Sequence, residues 1–331
     1  HISTTMCIHI VVDFSAKNKG ILTFGCFHGI CVYTYTMRKT LTAKQVDSIR
    51  KRFHSPLSES RLQPVLYDIC YELDIASQAR FLRRLLEEKI VYEFEFKGQR
   101  GDRKRYFSSN PEVSPYEAAC ALWPSAYFCN LTAVFYHNLT NQIPSSIYLA
   151  KEGKGREKDK PPARKNIALA NESIFQAFIK PPRSTSSQYK LPKGTIILTE
   201  RADRGETGVV TLSDAHKLLP AGSRVTSLER TLIDVCVNPH YNGGIMSILD
   251  YYREAASRID AEKLIDIYRH LSYLYPYWQA IGFICERAGV EKVPEKLFKA
   301  FKVVNEFYLD HNAKTTWAYD EKWKIHYPRI V

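Results

Sequence analysis

Three stretches of the chain gather residue types that can do chemistry. The first runs from Ser77 to Arg105. Arg80, Arg83 and Arg84 recur at helical spacing opposite Leu82, Leu85 and Leu86, with Gln78 at the start of the same helix. Shortly after, Lys97, Arg100, Arg103, Lys104 and Arg105 cluster around Gly98 and Gly101, which permit a turn. A guanidinium face followed by a basic hairpin suits the gripping of phosphates and the reading of base edges in duplex DNA. On this expectation the helix lies in the major groove and the hairpin supplies salt-dependent contact to a phosphate strand. The alternative is a protein-contact module with a merely solvated charged face.

The second stretch is Thr226-Ser-Leu-Glu-Arg-Thr-Leu-Ile-Asp-Val235, followed by Gly243-Gly244. Glu229 and Asp234 invite an acid/base reading, but five residues turn a helix by about 500°, so their side chains diverge. A structural account serves better. Thr226 and Glu229 fit a capping box that opens the helix 228–236, with Ser227 between them, and Arg230 and Asp234 stand four residues apart as an ion pair.

The third is thinner. Glu152-x-Lys154 after a strand is half of a nuclease metal site, with no Asp close before it. His137 follows an apolar helix face and reads as a buried, hydrogen-bonded histidine. The aromatics Tyr273, Tyr275, Tyr277 and Trp278 read as core and rim. No phosphate-binding glycine loop, G-x-S-x-G or H-E-x-x-H occurs. The eight cysteines include no C-x-x-C pair, against both a zinc finger and a disulfide framework. Sequons at Asn130, Asn138 and Asn171 carry no weight without a secretory signal, and a reducing cytoplasm is the expectation. The chain therefore reads as a non-enzyme without cofactor or metal.

The elements that must position these residues are legible in outline. The chain has 331 residues, 45% hydrophobic and 25% charged, enough for two domains and too apolar for disorder. No run of apolar residues is long enough to span a membrane. Residues 1–36 carry few charges and read as an upstream extension, either read-through ahead of Met37 or a β-prone segment that pairs with the body. Residues 37–110 read as a winged helix-turn-helix. A helix begins at the Thr42–Gln45 capping box and a second runs 62–73. A third follows Ser77, and strands at 91–96 and 105–107 flank the basic loop. From 37 to 107 there are 16 Lys/Arg against 10 Asp/Glu, half of the chain's net charge of +12. That concentration favours a polyanionic partner, double-stranded DNA first.

Residues 111–331 read as a larger mixed α/β domain. Helices are expected at 116–122 and from Pro124 to His137, and strands at 146–149, 195–199 and 208–212. An exposed basic loop is expected near 151–165. Helices then follow at 244–256, 260–273, 276–288 and 293–304, with a last strand near 323–327. Strands and helices do not alternate, so the fold class is α+β, or irregular α/β.

The Thr226–Val235 segment, with Pro239, Tyr241 and Gly243-Gly244, resembles the signature of AbiEi-family antitoxins. The block Tyr127…Ala133…His137-Asn-Leu-Thr-Asn-Gln-Ile-Pro144…Ile147-Tyr148 is similar to another part of that family's pattern, with Asn138 where the family would have glycine. The tail Glu286-Arg-Ala-Gly289, Phe307-Tyr-Leu-Asp310 and Tyr319-Asp-Glu-Lys-Trp-Lys-Ile-His-Tyr-Pro328 fits as well. The resemblance covers roughly 38–330. It implies a type IV antitoxin of an abortive-infection phage-defence system. Its winged helix would repress its own operon at inverted repeats in the promoter. Its second domain, bearing the 226–244 motif, would neutralise a nucleotidyltransferase-like toxin without needing a stable complex. The competing expectations are a DNA-directed metal-dependent nuclease using Glu152 or Glu229, and a plain transcription factor with an effector domain.

Overall fold

A computed structural model describes residues 10–13, 21–24, 40–108, 114–153, 169–191, 194–216, 218–314 and 316–331. Strands β1 (Ile10–Asp13) and β2 (Ile21–Phe24) pair antiparallel in a sheet of their own. The other residues before Thr40 and most of the expected 151–165 loop lie outside the described residues.

From Thr40 to Ser108 the order is α1 (Ala43–Arg52), β3 (Leu57–Ser58), α2 (Glu59–Glu72), α3 (Gln78–Glu87), β4 (Tyr92–Gly98) and β5 (Arg103–Phe107). The capping box at Thr42 forms as its residues imply, with hydroxyl and Gln45 side chain bonded reciprocally. Ser77 caps α3, its hydroxyl accepting from the Arg80 amide. Phe53, Leu66, Ile69, Phe81, Leu85 and Val91 close a separate small core. α2 begins at Glu59 rather than Leu62 and accommodates Pro64 at the loss of one backbone bond. β3 was not expected; Leu57 pairs with Tyr106, so β5 lies between β3 and β4.

The larger part opens with α4 (Pro115–Leu122), β6 (Tyr127–Phe128), α5 (Asn130–Tyr136) and β7 (Ser146–Glu152). The helix expected from Pro124 is thus shortened to α5, with a two-residue strand before it. Tyr127 and Phe128 lie extended against β7, and the chain turns helical only at Asn130. Then come α6 (Asn171–Phe178), β8 (Gln188–Lys190), β9 (Thr195–Arg201), β10 (Val209–Thr211), β11 (Arg224–Thr226) and α7 (Leu228–Val237). The helices α8 (Gly244–Ala255), α9 (Ala261–Leu271), α10 (Tyr277–Ala288) and α11 (Lys292–Ala300) follow. β12 (Phe307–Tyr308), β13 (Ala318–Asp320) and β14 (Ile325–Tyr327) form a three-stranded sheet.

One nine-stranded sheet, ordered β10-β11-β6-β7-β9-β8-β4-β5-β3, runs through both parts. β7 and β9 pair in parallel over seven residues, whereas β8 is antiparallel to β9 and to β4. The fold is accordingly mixed α/β, with parallel and antiparallel pairs in one sheet. Leu122, Phe128, Ile147, Ile196, Leu198 and Val225 form the core against that sheet. A larger core joins α7 to the C-terminal helices through Leu232, Ile248, Tyr252, Leu264, Ile281 and Trp323. α5 serves both, giving Ala133 to the first and Val134 to the second. Among the described residues no helix is long and apolar enough to cross a membrane.

Candidate functional site

On α3, Phe81 and Leu85 are buried and Leu82 and Leu86 half-buried, which turns Arg80 and Arg83 outward. Both are exposed, and neither forms an ion pair among the described residues. Arg84 differs. Its Nε donates to Glu88 Oε1 at 2.6 Å, one turn on, and its side chain is 12% exposed. Gln78 is half-buried in the first turn. The arginine face is therefore narrower than three residues at helical spacing suggest.

The hairpin cations fare differently again. Lys97 lies between Glu95 at 2.7 Å and Asp102 at 3.0 Å, and those hydrogen bonds push its ammonium up. Lys104 pairs with Glu93 at 2.9 Å. Arg103 donates to the Tyr189 hydroxyl at 3.0 Å, and its guanidinium lies over the Trp123 ring at 5.3 Å. Arg105 is buried. Its Nε and Nη2 donate to the Ala121 and Leu122 carbonyls at 3.2 and 2.7 Å, the orphan acceptors at the end of α4. Burial, more than the nearby Arg103, lowers its pKa. Only Arg100, exposed in the turn, keeps the position expected of a hairpin-tip cation.

The tip itself is packed rather than projecting. Lys97 and Gly98 pair with Lys190 and Tyr189 of β8. A Cβ on Gly98 would stand 2.5 Å from the Gly101 carbonyl and 2.6 Å from the Tyr189 ring.

The 226–244 motif is an internal scaffold. Ser227, not Thr226, caps α7, its hydroxyl accepting from the Arg230 amide at 3.3 Å. Thr226 is one residue too early; its hydroxyl bonds that of Thr231 at 2.7 Å, both residues being buried. Glu229 bonds the Ser227 hydroxyl and pairs with Lys263 of α9 at 2.8 Å, while Asp234 points elsewhere, as their separation on the helix requires.

Asp234 is fully buried and accepts from Arg230 Nε at 3.0 Å and from Arg201 Nη1 at 2.8 and 2.7 Å. Burial works to raise its pKa, and the two guanidiniums overcome it, holding the carboxyl below its usual range. Arg230 also donates to the Thr207 carbonyl. Arg201 escaped the sequence reading because it lies 33 residues from Asp234, on a different element. Gly243 and Gly244 both have positive φ, 80° and 83°, and Gly243 caps α8.

His137 sends Nε2 to the Thr226 carbonyl at 2.7 Å, and burial pushes its pKa down to about 4. Asn138 has φ 58°, a left-handed position ending α5, which explains why asparagine can stand where glycine was expected. Glu152 Oε2 accepts from the amides of Arg204 and Glu206 at 2.6 and 2.9 Å, so it organises the turn after β9. Lys154 lies outside the described residues. Among the described residues no group of three or more His, Cys, Asp or Glu could hold a metal ion. Cys70, Cys129, Cys236 and Cys285 are free and buried, and burial pushes Cys129 and Cys236 up to about 12.

No family model and no curated protein matches the chain. Among solved structures it is similar to the RV2827C protein from Mycobacterium tuberculosis, with a TM-score of 0.47, 11% sequence identity and 96% of each chain covered.

Proposed function

We propose that residues 40–108 act as a winged helix-turn-helix that binds duplex DNA, and that the chain is an AbiEi-type antitoxin repressing its own promoter. The observation that carries the reading is the pair Arg80 and Arg83, exposed and unpaired among the described residues on a capped helix. It is supported by the order of three helices and a small antiparallel sheet, β3-β5-β4, around one core. In this account α3 enters the major groove, and Arg80 and Arg83 contact bases or flanking phosphates. The hairpin contributes chiefly Arg100, since its other cations are engaged within the protein.

The antitoxin half rests on the resemblance of the 226–244 motif, whose residues build the ionic core beneath β9 and the start of α8. The toxin is a nucleotidyltransferase-like enzyme in this reading, neutralised with or without a stable complex.

The test is a gel-shift of the full chain on its own upstream DNA over a salt series. Arg80→Ala and Arg83→Ala are each expected to weaken binding by about tenfold to a hundredfold, from a contact worth roughly 1–3 kcal/mol. Affinity equal on random DNA, or untouched by both substitutions, would refute the DNA-binding half. Co-expression with the neighbouring toxin gene tests the other half by rescue of growth.

A further inference from the structure

An open cavity of about 530 Å³ lies at the carboxyl ends of the parallel strands β7 and β9, beside the last turns of α7 and α9. Its volume is in the range of sites that hold small organic ligands. Among the described residues five arginines line it, Arg100, Arg183, Arg201, Arg204 and Arg230, against two carboxylates, Glu152 and Glu200. Glu200 is already tied to Lys151 at 2.9 Å. Asp234 compensates one charge of the Arg201–Arg230 pair and leaves the other.

Of the buried side-chain atoms without a hydrogen-bond partner among the described residues, two belong to residues that line this cavity, and they are complementary in kind. Arg201 Nη2 is a donor without an acceptor. Glu152 Oε1 is an acceptor without a donor, its other oxygen being held by the Arg204 and Glu206 amides. Such groups are costly to bury unsatisfied. Clustered guanidiniums with a spare donor match the several acceptor oxygens of a phosphate. The spare carboxylate oxygen matches a hydroxyl or amino group on the same ligand. Leu271, Tyr273 and Leu274 add an apolar and aromatic wall.

We propose that this cavity binds a nucleoside phosphate, its phosphate on the arginines, a sugar hydroxyl or base amine donating to Glu152, and its base against the aromatic wall. The site shares Arg100 with the hairpin's proposed DNA contact but none of the α3 arginines, and its test at Arg183, Arg204 and Glu152 stands whether or not the chain binds DNA.

Isothermal titration of the full chain with adenosine and guanosine monophosphate, and with inorganic phosphate as the reference, tests it. At least one nucleotide is expected to bind about tenfold or more tightly than inorganic phosphate, the increment that a few further polar and stacking contacts supply. Arg183→Ala and Arg204→Ala should each weaken nucleotide and phosphate alike by roughly tenfold, with the ligand-free melting temperature unchanged. Glu152→Gln should narrow the gap between nucleotide and phosphate. Wild-type protein that binds both nucleotides no more tightly than phosphate overturns the proposal, whatever the variants do. Arginine variants that bind as wild type overturn it as well.

Discussion

The basic unit of residues 40–108 and the ionic cluster around α7 use the same side chains to opposite ends. On α3, Arg80 and Arg83 stand in water without partners among the described residues, where a charge costs little and is free to meet an incoming anion. Around α7, Arg201 and Arg230 converge on a carboxylate with no exposure at all. There the three charges are tolerable only together, because each would be costly to bury alone. The hairpin lies between these extremes. Lys97 and Lys104 are matched by Glu93, Glu95 and Asp102, Arg103 and the buried Arg105 are enlisted in packing, and Arg100 stays exposed. Charge therefore predicts a partner only after the charges that the protein satisfies internally have been set aside.

The contrast makes graded predictions. Asp234→Ala leaves two buried guanidiniums without their counter-charge and is expected to destabilise the fold by about 3–5 kcal/mol, read by equilibrium denaturation. A loss below about 1 kcal/mol would show that water reaches the cluster and that it belongs with the surface charges.

Arg105→Ala strips the donors from the Ala121 and Leu122 carbonyls and should cost on the order of 1–3 kcal/mol. DNA affinity should hold once the protein is folded. A fall in affinity without a fall in stability would return Arg105 to the role its sequence position suggests.

His137 makes stability depend on pH. Its pKa is about 4 in the fold, against an ordinary 6.5, because burial disfavours the imidazolium. Between those values the unfolded chain takes up a proton that the folded one refuses. Its contribution is thus complete above pH 6.5 and drains away as the pH falls towards 4. His137→Gln, which keeps a donor for the Thr226 carbonyl, should flatten the melting temperature across that window; an unchanged slope would mean another group governs it.

The smallest effect is expected at Lys97→Ala and Lys104→Ala. Exposed pairs of this kind are worth about 0–1 kcal/mol, so stability should barely move. DNA affinity should fall less than it does for Arg80→Ala, and the reverse ranking in gel-shifts would show that the hairpin lysines exchange their Glu and Asp partners for DNA phosphates in the complex.

What could be read along the chain was local. The Thr42–Gln45 box, the Ser77 cap, the α3 periodicity and the Arg230–Asp234 spacing involve residues three or four positions apart, so about one helical turn suffices to join them. Errors arose where a local pattern was ambiguous. Tyr127 and Phe128 continue an apolar run that suits a helix, but pairing with β7 takes them into the sheet. Thr226 and Ser227 are both plausible caps, and the residue that remains extended next to the helix takes the role.

By itself, then, the sequence determined the helices that announce their own ends, the concentration of positive charge before residue 108, and the ion pair within α7. Which cations remain available depends on long-range packing. The strand β8 that grips the hairpin, the α4 carbonyls that claim Arg105, and the approach of Arg201 to Asp234 all join residues far apart in the chain. Such partners follow from sheet order and packing, and no periodicity along the chain encodes them.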